Sequence, residues 1–364
     1  MGPKKVDYVC LSRQFSQLRD EIIGELNKVF DSGMFILGPF VERFEKEFAD
    51  YIGAKNCIGV NSGTAALRLT LWALGVGKGD QVIVPSNSFL ATAGAVVEVG
   101  AKPVFADVAE DLNIAPSEIE RLAGKKTKAV IVVHLTGRPA RMKEIMAIAR
   151  GEKLFVIEDC AQAVGASVGG RMVGTLGDAG CFSFHPLKTL NAAGDGGAVV
   201  TESDEIAEKI RLLRNHGLAD RDHCRLWGTN SRLDAIQAAI LSVNLRHLEG
   251  WTEKRIANAQ RYSQKLAGVV NVPVTEQGTR SVYHTYVIQA EKRDGLKRYL
   301  KEAGVDSKIH YPIPIHLQIA AGKQKKLPVC ENLAKRILSL PVHQYLSEDD
   351  IDYVAEAIIR FYNS

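Results

Sequence analysis

The chain has 364 residues, 46% hydrophobic and 24% charged, with a formal net charge of +4. That length can bury a core and build two lobes around it, and its basic residues are dispersed without interleaved aromatics. A nucleic-acid footprint is thereby excluded and small anionic ligands stay open.

Cys10, Cys57, Cys160, Cys181, Cys224 and Cys330 lie far apart with no CxxC pair. This pattern gives neither a metal knot nor a disulfide framework, and a reducing cytoplasm fits it. No run approaches a membrane span, and the start, MGPKKVDYVC, lacks the apolar core of a signal peptide. Met1 and Gly2 begin like a myristoylation site, but Val6 stands where Ser or Thr is needed. The expectation is a cytoplasmic protein with no membrane partner.

In chain order, CIGV (57–60) reads as the first buried strand, and NSGTAAL (61–67) opens a helix that continues to 75. QVIVPS (81–86), KPVFADV (102–108), AVIVVHL (129–135) and KLFVIEDC (153–160) read as further strands, apolar on both faces. APSEIERLAG (115–124) and ARMKEIMAIARG (140–151) have helical apolar spacing, and all three helices close on a glycine. The alternation predicts an α/β fold with a mostly parallel sheet over roughly 14–245. A helical pattern from Ser231 to about Leu266 is long enough to bridge two lobes. VYHTYVIQA (282–290), RDGLKRYLKEAG (293–304) and DDIDYVAEAIIRFY (349–362) then suggest a smaller α/β lobe. The domains are set at 1–245, with an N-terminal helical segment, and 246–364.

Three motifs carry chemistry. NSGTAAL follows a strand and opens a helix, so its amides and hydroxyls suit a phosphate at the positive helix end, although such turns also serve as plain connections. It is not a P-loop, and no GxGxxG follows a strand, which argues against a nicotinamide-dependent oxidoreductase. IEDCAQA (157–163) puts Asp159 at the carboxyl end of a strand, where it either caps the next helix or pairs with a buried cation. Lys188, in FSFHPLKTLNAAGDGG, is either a surface charge or an amine that loses hydration in an apolar loop and becomes a nucleophile for carbonyls. Taken together, a phosphate cradle, an acid for a pyridinium nitrogen and a Schiff-base lysine are the parts that hold pyridoxal 5'-phosphate. Gly194, Gly196 and Gly197 read as close-approach backbone around that site.

From GMFILGPFVERFEKEFADYIGA through FLATAGAV, VIEDCAQAVGA and FSFHPLKTLNAAGDGGAVVT to NSRLDAIQAAIL, HYPIPIHLQ and LPVHQYLSEDDI, the sequence resembles the DegT/DnrJ/EryC1/StrS family of pyridoxal-phosphate-dependent sugar aminotransferases. The resemblance implies fold type I, aspartate-aminotransferase-like, with a large domain of mixed, mostly parallel sheet flanked by helices and a smaller C-terminal α/β domain. It makes Lys188 the internal-aldimine lysine and Asp159 the partner of the ring nitrogen. Gln162 falls near the phenolic oxygen, Gly63, Thr64 and Ser183 at the phosphate, and Phe89 on the pyridine face. It further implies a homodimer with shared sites, in which Asn230 reaches the phosphate of the neighbouring subunit. Arg232, His310 and Tyr311, with His185 lining the pocket, become contacts for a nucleotide-sugar. His310 and His316 have the second reading of a packed small-lobe loop.

The activity implied is ping-pong transamination from an amino acid, glutamate in the first instance, to a nucleotide-linked keto-sugar for polysaccharide or O-antigen synthesis. HYPIPIHLQ resembles the loop of enzymes that aminate C3 of a 3-keto sugar. Alternatives are a C4 keto-sugar or keto-cyclitol aminotransferase, and a non-catalytic regulatory protein that binds the cofactor. Dehydratases of the family carry histidine in place of the lysine, so Lys188 favours amination. The resemblance departs at Arg141, where many relatives have aspartate, which puts an inherited helix-capping contact there in doubt.

Overall fold

In the computed structural model, which describes residues 4–363, the apolar runs pair into one seven-stranded sheet. The Met1–Gly2 start lies outside the described residues. The chain forms β1 (Asn56–Val60), β2 (Gln81–Pro85), β3 (Lys102–Ala106), β4 (Thr127–Val133) and β5 (Phe155–Asp159). A short hairpin, β6 (Ser167–Val168) and β7 (Arg171–Met172), leads to β8 (Ala179–Ser183) and β9 (Gly197–Thr201). Across the sheet the order is β1-β9-β8-β5-β4-β2-β3. β9 runs against both its neighbours, and all other neighbouring pairs are parallel. This is the mixed, mostly parallel sheet expected.

The strands are apolar on both faces because both faces are covered. On β4, Ile131 and Val133 join one cluster and Val130 and Val132 another, as the two-residue period of a strand requires. The first cluster takes in α4 (Gly63–Ala73), α5 (Leu90–Glu98) and α8 (Asp204–Leu213) through Leu67, Val96 and Ile210. The second takes in α6 (Pro116–Leu122) and α7 (Met142–Glu152) through Ile119 and Ile145. Ahead of the sheet lie α1 (Leu11–Gln17), α2 (Arg19–Ser32) and α3 (Pro39–Ile52).

The glycine stops hold only in part. Gly75, just past α4, is left-handed with φ 71°, but α7 runs through Gly151 and leaves the helix at Lys153, itself left-handed. The Leu154 amide closes that end on the Ala149 carbonyl at 2.9 Å, so the turn is fixed two residues beyond the glycine. α6 ends at Leu122 with Ala123 extended. At the other end of α7, Arg141 occupies the N-cap without a capping bond and pairs with Asp111 at 3.4 Å.

α9 (Ala235–Leu266) is one helix of 32 residues, and the boundary drawn at 245/246 falls inside it. Ala238, Leu241 and Leu248 pack against the sheet domain, while Ala259, Tyr262 and Leu266 belong to the core of the small lobe. That lobe adds β10 (Thr279–Arg280), β11 (Tyr286–Gln289), α10 (Arg293–Glu302), α11 (Pro328–Arg336), β12 (Ile337–Leu340) and α12 (Glu348–Asn363). β11 and β12 pair antiparallel. The first described residues depart from the expected division: Val6 is buried in the small-lobe core and bonds backbone to backbone with Gly304 and Asp306. A lone apolar residue among charged ones carries no periodicity that could have said so. Among the described residues all six cysteines are unpaired, and no helix is long and apolar enough to cross a membrane.

An aromatic cluster joins α3 to the strand that leads into the Lys188 loop. Phe48 meets Phe182 and Phe184 edge-on, with ring centroids 5.1 and 5.2 Å apart, and none of the three is exposed. Phe48→Ala should cost about 3–5 kcal/mol of stability. Urea unfolding measures it, and a loss below about 1 kcal/mol would show a cluster that collapses to fill the space.

Candidate active site

α4 starts directly after β1, and Ser62 caps it by accepting from the Ala65 amide at 3.1 Å. The amides of Gly63 and Thr64, in the first turn, have no partner inside the helix and lie at its positive end. Ser183, at the end of β8, approaches so closely that a Cβ on Gly63 would sit 2.7 Å from the Ser183 Cβ. A Cβ on Gly197 would lie 2.5 Å from the Ser62 backbone. Glycine at these two positions therefore lets β8, β9 and α4 close into a cradle of amides and hydroxyls. Gly194 and Gly196 instead face the side chains of Gln237 and Leu233.

The cradle opens into a cavity of about 610 Å³, whose walls include Gly63, Thr64, Phe89, Asp159, Gln162, Ser183 and Lys188. Asp159 ends β5 and is buried; its carboxylate accepts from Thr92 Oγ1 at 2.9 Å and from the Ala161 amide at 3.2 Å. Burial raises its pKa, against those bonds and the charge of Lys188. Lys188 sits in the turn after β8, its amide bonded to the His185 carbonyl at 2.8 Å. Burial lowers its pKa, and Asp159 only partly opposes this. Each group is thus pushed toward its neutral form by the same loss of water. A neutral amine is able to attack a carbonyl, and an acid of this kind ionises when a cation is brought beside it. Cradle, acid and amine in one cavity fit a group with a phosphate, a basic ring nitrogen and an aldehyde.

Gln162 accepts from the Thr136 amide at 2.7 Å and donates to Tyr311 Oη at 3.2 Å. Burial pushes the Tyr311 phenol up to about 12, so it stays a protonated donor. Phe89 is exposed on the cavity wall, its ring 6.2 Å from that of Tyr311. His185 and His310 line the same cavity. His310 shares a hydrogen bond with Ser339 Oγ at 2.9 Å, and burial depresses its pKa to about 4. Asn230 and Arg232 are not among the lining residues of their own chain. Asn230 is exposed, and Arg232 donates to Asn215 at 3.0 Å.

His316 lies apart from the cavity lining. It is buried, hydrogen-bonded through Nδ1 to the Ser86 hydroxyl, and its Nε2 donates to Glu331 at 3.2 Å. The Ser–His–Glu order is that of an acyl-transfer triad, but Ser86 is fully buried and its hydroxyl also accepts from the His316 amide at 3.3 Å. The chain of bonds ties the loop carrying His310 and Tyr311 to the end of β2. His316 therefore has the packed-loop role.

Sequence reasoning missed several residues. Thr92, which orients Asp159, lies within FLATAGAV but had no chemical signal. Glu158, beside Asp159, is fully buried and accepts from His134 Nε2 at 2.9 Å and from the amides of Gly174, Leu176 and Gly177 at 2.9, 2.7 and 2.7 Å. Burial works to raise this carboxyl, yet the bonds outweigh it and hold it below the usual range. His134, Glu158 and Cys160 have metal-like proximity. However, His134 Nδ1 already accepts from the Ala140 amide at 3.0 Å and its Nε2 faces Glu158, so no ring lone pair is left for an ion. Tyr8, Arg255, His284 and His343 complete the cavity from the small-lobe side. A second cavity of about 690 Å³ lies between the lobes, but its arginines, Arg138 and Arg141, are already paired with Glu276 and Asp111.

Residues 16–359 match the model of the DegT/DnrJ/EryC1/StrS aminotransferase family. A Geobacillus stearothermophilus protein named pleiotropic regulatory protein is 45% identical, over 98% of this chain and 98% of its own. The UDP-N-acetyl-3-dehydro-α-D-glucosamine 3-aminotransferase of Acidithiobacillus ferrooxidans is also 45% identical, over 98% of this chain and 97% of its own. The crystal structure of S. venezuelae DesV in complex with a ketimine intermediate superposes with a TM-score of 0.97 at 40% identity, covering 99% of each chain.

His343 gives the cavity wall a pH dependence. Its Nδ1 accepts from the Tyr345 amide at 3.3 Å and its Nε2 donates to the Asp7 carbonyl at 3.1 Å, which requires the neutral ring. Burial lowers its pKa to about 4. Since the unfolded chain binds this proton at about pH 6.5, stability is untouched above that pH and is lost as pH falls toward 4. His343→Gln should flatten this part of the acid limb in urea titrations between pH 7 and 4. An unchanged slope would place the lost protons elsewhere.

Proposed function

The chain belongs to the DegT/DnrJ/EryC1/StrS aminotransferase family, and from that premise we propose that it transfers an amino group from an amino acid, glutamate as donor, to C3 of a nucleotide-linked 3-keto sugar, with pyridoxal 5'-phosphate as cofactor. The observation that carries the reading is the pair of Asp159 and Lys188 in one cavity, each displaced toward its neutral form by burial. The C3 preference draws on the 3-aminotransferase relative and on the loop HYPIPIHLQ. A product of this kind suits polysaccharide assembly, and six unpaired thiols support a cytoplasmic setting.

When bound, the cofactor supplies the carbonyl carbon that carries the nitrogen and a ring that draws electrons from the breaking C–H bond. The amides of Gly63 and Thr64 and the Ser183 hydroxyl would hold its phosphate. Asp159 would face the ring nitrogen as the anion that favours its protonated form, and the Thr92 hydroxyl fixes this carboxylate. Gln162 and Tyr311 would serve as donors for the phenolic oxygen and substrate, and Phe89 would cover the ring. Lys188 would act as the base that takes the proton from the substrate carbon bearing the nitrogen. Burial, which lowers its proton affinity, favours this role.

We further infer a homodimer with shared sites. Asn230 is exposed and outside its own cavity; Met34, Phe35 and Ile36 are exposed apolar side chains beside the segment that follows it, where Ile36 bridges to Asp234, and the exposed Trp227 precedes Asn230 closely in the chain. A partner chain would cover them and bring Asn230 to the phosphate, with Arg232 beside the nucleotide-sugar.

The decisive experiment incubates the purified protein and cofactor with L-glutamate and UDP- or dTDP-3-keto sugars, and follows 2-oxoglutarate and amino-sugar by mass spectrometry. Cofactor absorbance indifferent to every amino donor would instead support a regulatory protein. Lys188→Ala should lower turnover by about 10²- to 10⁴-fold or more while leaving the fold and oligomer intact; near wild-type turnover would mean that another group is the base. For shared sites, Asn230→Ala mixed with Lys188→Ala should regain activity that neither homodimer has. Failure to regain it would assign each site to a single chain.

A further inference from the structure

Arg255 lies in the second half of α9 and lines the same cavity as Lys188. Among the described residues it forms no ion pair. Its Nη1 donates only to the carbonyls of Tyr283 and His284, at 3.4 and 3.5 Å, and its Nε has no partner. Of the three acids of the cavity wall, Asp159, Asp195 and Asp306, none pairs with it: Asp306 is held by Lys308 at 2.7 Å, Asp159 by Thr92 and Ala161, and no acid, Asp195 included, is among the charges that act on the guanidinium. Around it stand neutral groups, the buried Tyr8 hydroxyl and the rings of His284 and His343. A guanidinium removed from water with no anion costs free energy that an incoming anion would recover.

We propose that Arg255 anchors the carboxylate of the amino donor, holding the carbon that bears the nitrogen beside Lys188. The planar guanidinium matches a carboxylate with two parallel hydrogen bonds. The position argues for the donor over the diphosphate of a nucleotide. Lys188, His284 and Arg255 line one cavity, and Arg255 reaches the His284 carbonyl at 3.5 Å. An α-amino acid carries its carboxylate on the reacting carbon itself, whereas a diphosphate is separated from C3 by part of the hexose ring. The cofactor phosphate already has the amides of α4. In the sugar half-reaction hydroxyl groups accept from Arg255 instead, so one wall serves two substrates in turn. Burial, which holds the guanidinium down to about 10, accords with a site waiting for a negative group.

This inference rests on the aminotransferase reading, and the two can fail separately. Holoenzyme carrying Arg255→Lys or Arg255→Gln is mixed with L-glutamate alone, and the change in cofactor absorbance is followed. The half-saturating glutamate concentration should rise about 10- to 100-fold, more for Gln than for Lys, as for loss of a charged hydrogen-bonded anchor. The reverse half-reaction with the nucleotide-linked amino-sugar should change much less. Calorimetry with succinate, a dicarboxylate without an amine, should show weaker binding in both variants, independently of turnover. Should the variants fail to fold, the wild type decides: 4-aminobutyrate, which lacks the α-carboxylate, should react far more slowly than glutamate. Unchanged glutamate dependence and succinate binding, an equal loss with the amino-sugar, or wild-type 4-aminobutyrate reactivity matching glutamate overturns the assignment. A wild type that exchanges nitrogen with glutamate but with no nucleotide-sugar sinks the sugar reading and leaves Arg255 standing.

Discussion

Asp159 and Lys188 share a cavity from which water is largely withdrawn, and much of the surrounding structure is arranged to hold them there. Burial moves the acid up and the amine down, so each is pushed toward its neutral form and neither group is locked in a strong ion pair. A surface pair would keep both charges and give neither a base nor an electrostatic partner for a ring nitrogen. The sheet order explains how they meet. β5 and β8 are parallel neighbours, so Asp159 at the end of one and Lys188 just past the end of the other emerge on the same side.

The adjacent carboxylate, Glu158, shows how differently one sheet edge can treat two acids. Alternation along β5 turns Glu158 to the opposite face, where four donors satisfy it and fix it as an ion. Asp159 receives only two donors and faces open space. Glu158 thereby ties the segment 174–177, which leads into β8, to the end of β5, and the relative height of the two strands follows. The Ser86–His316–Glu331 chain does the same for the loop carrying His310 and Tyr311. Rigid polar contacts at these two places leave the cavity's own groups under-satisfied, as groups meant for a ligand must be.

The sheet was legible because β-strands buried on both faces write continuous apolar runs, and the cradle, acid and lysine were legible because each follows such a run. Helix ends were less so. Gly151 invited a stop that the chain takes at Lys153, since a left-handed residue closes a helix wherever the following amide finds its carbonyl. Val6 could not be placed, because a short segment joins whichever lobe offers its backbone a partner. Tyr8, Arg255, His284 and His343 escaped notice for a related reason: they come from four separate segments of the chain, and only folding brings them to one wall.

That wall changes how the cavity is understood. The cofactor residues seen in the sequence form the half that faces the large sheet, supplied from the ends of β1, β2, β5 and β8, and they suit a bound group common to many reactions; of the opposite wall the sequence showed only His310 and Tyr311. The small-lobe half carries the groups that meet whatever reacts with it. Its histidines are kept neutral by burial and its arginine lacks an anion, so its charge balance is completed by substrate. A reaction in which a charged amino acid and a hydroxyl-rich sugar take turns requires such a wall. A guanidinium with a permanent protein carboxylate would repel the first, and an apolar wall would bind neither.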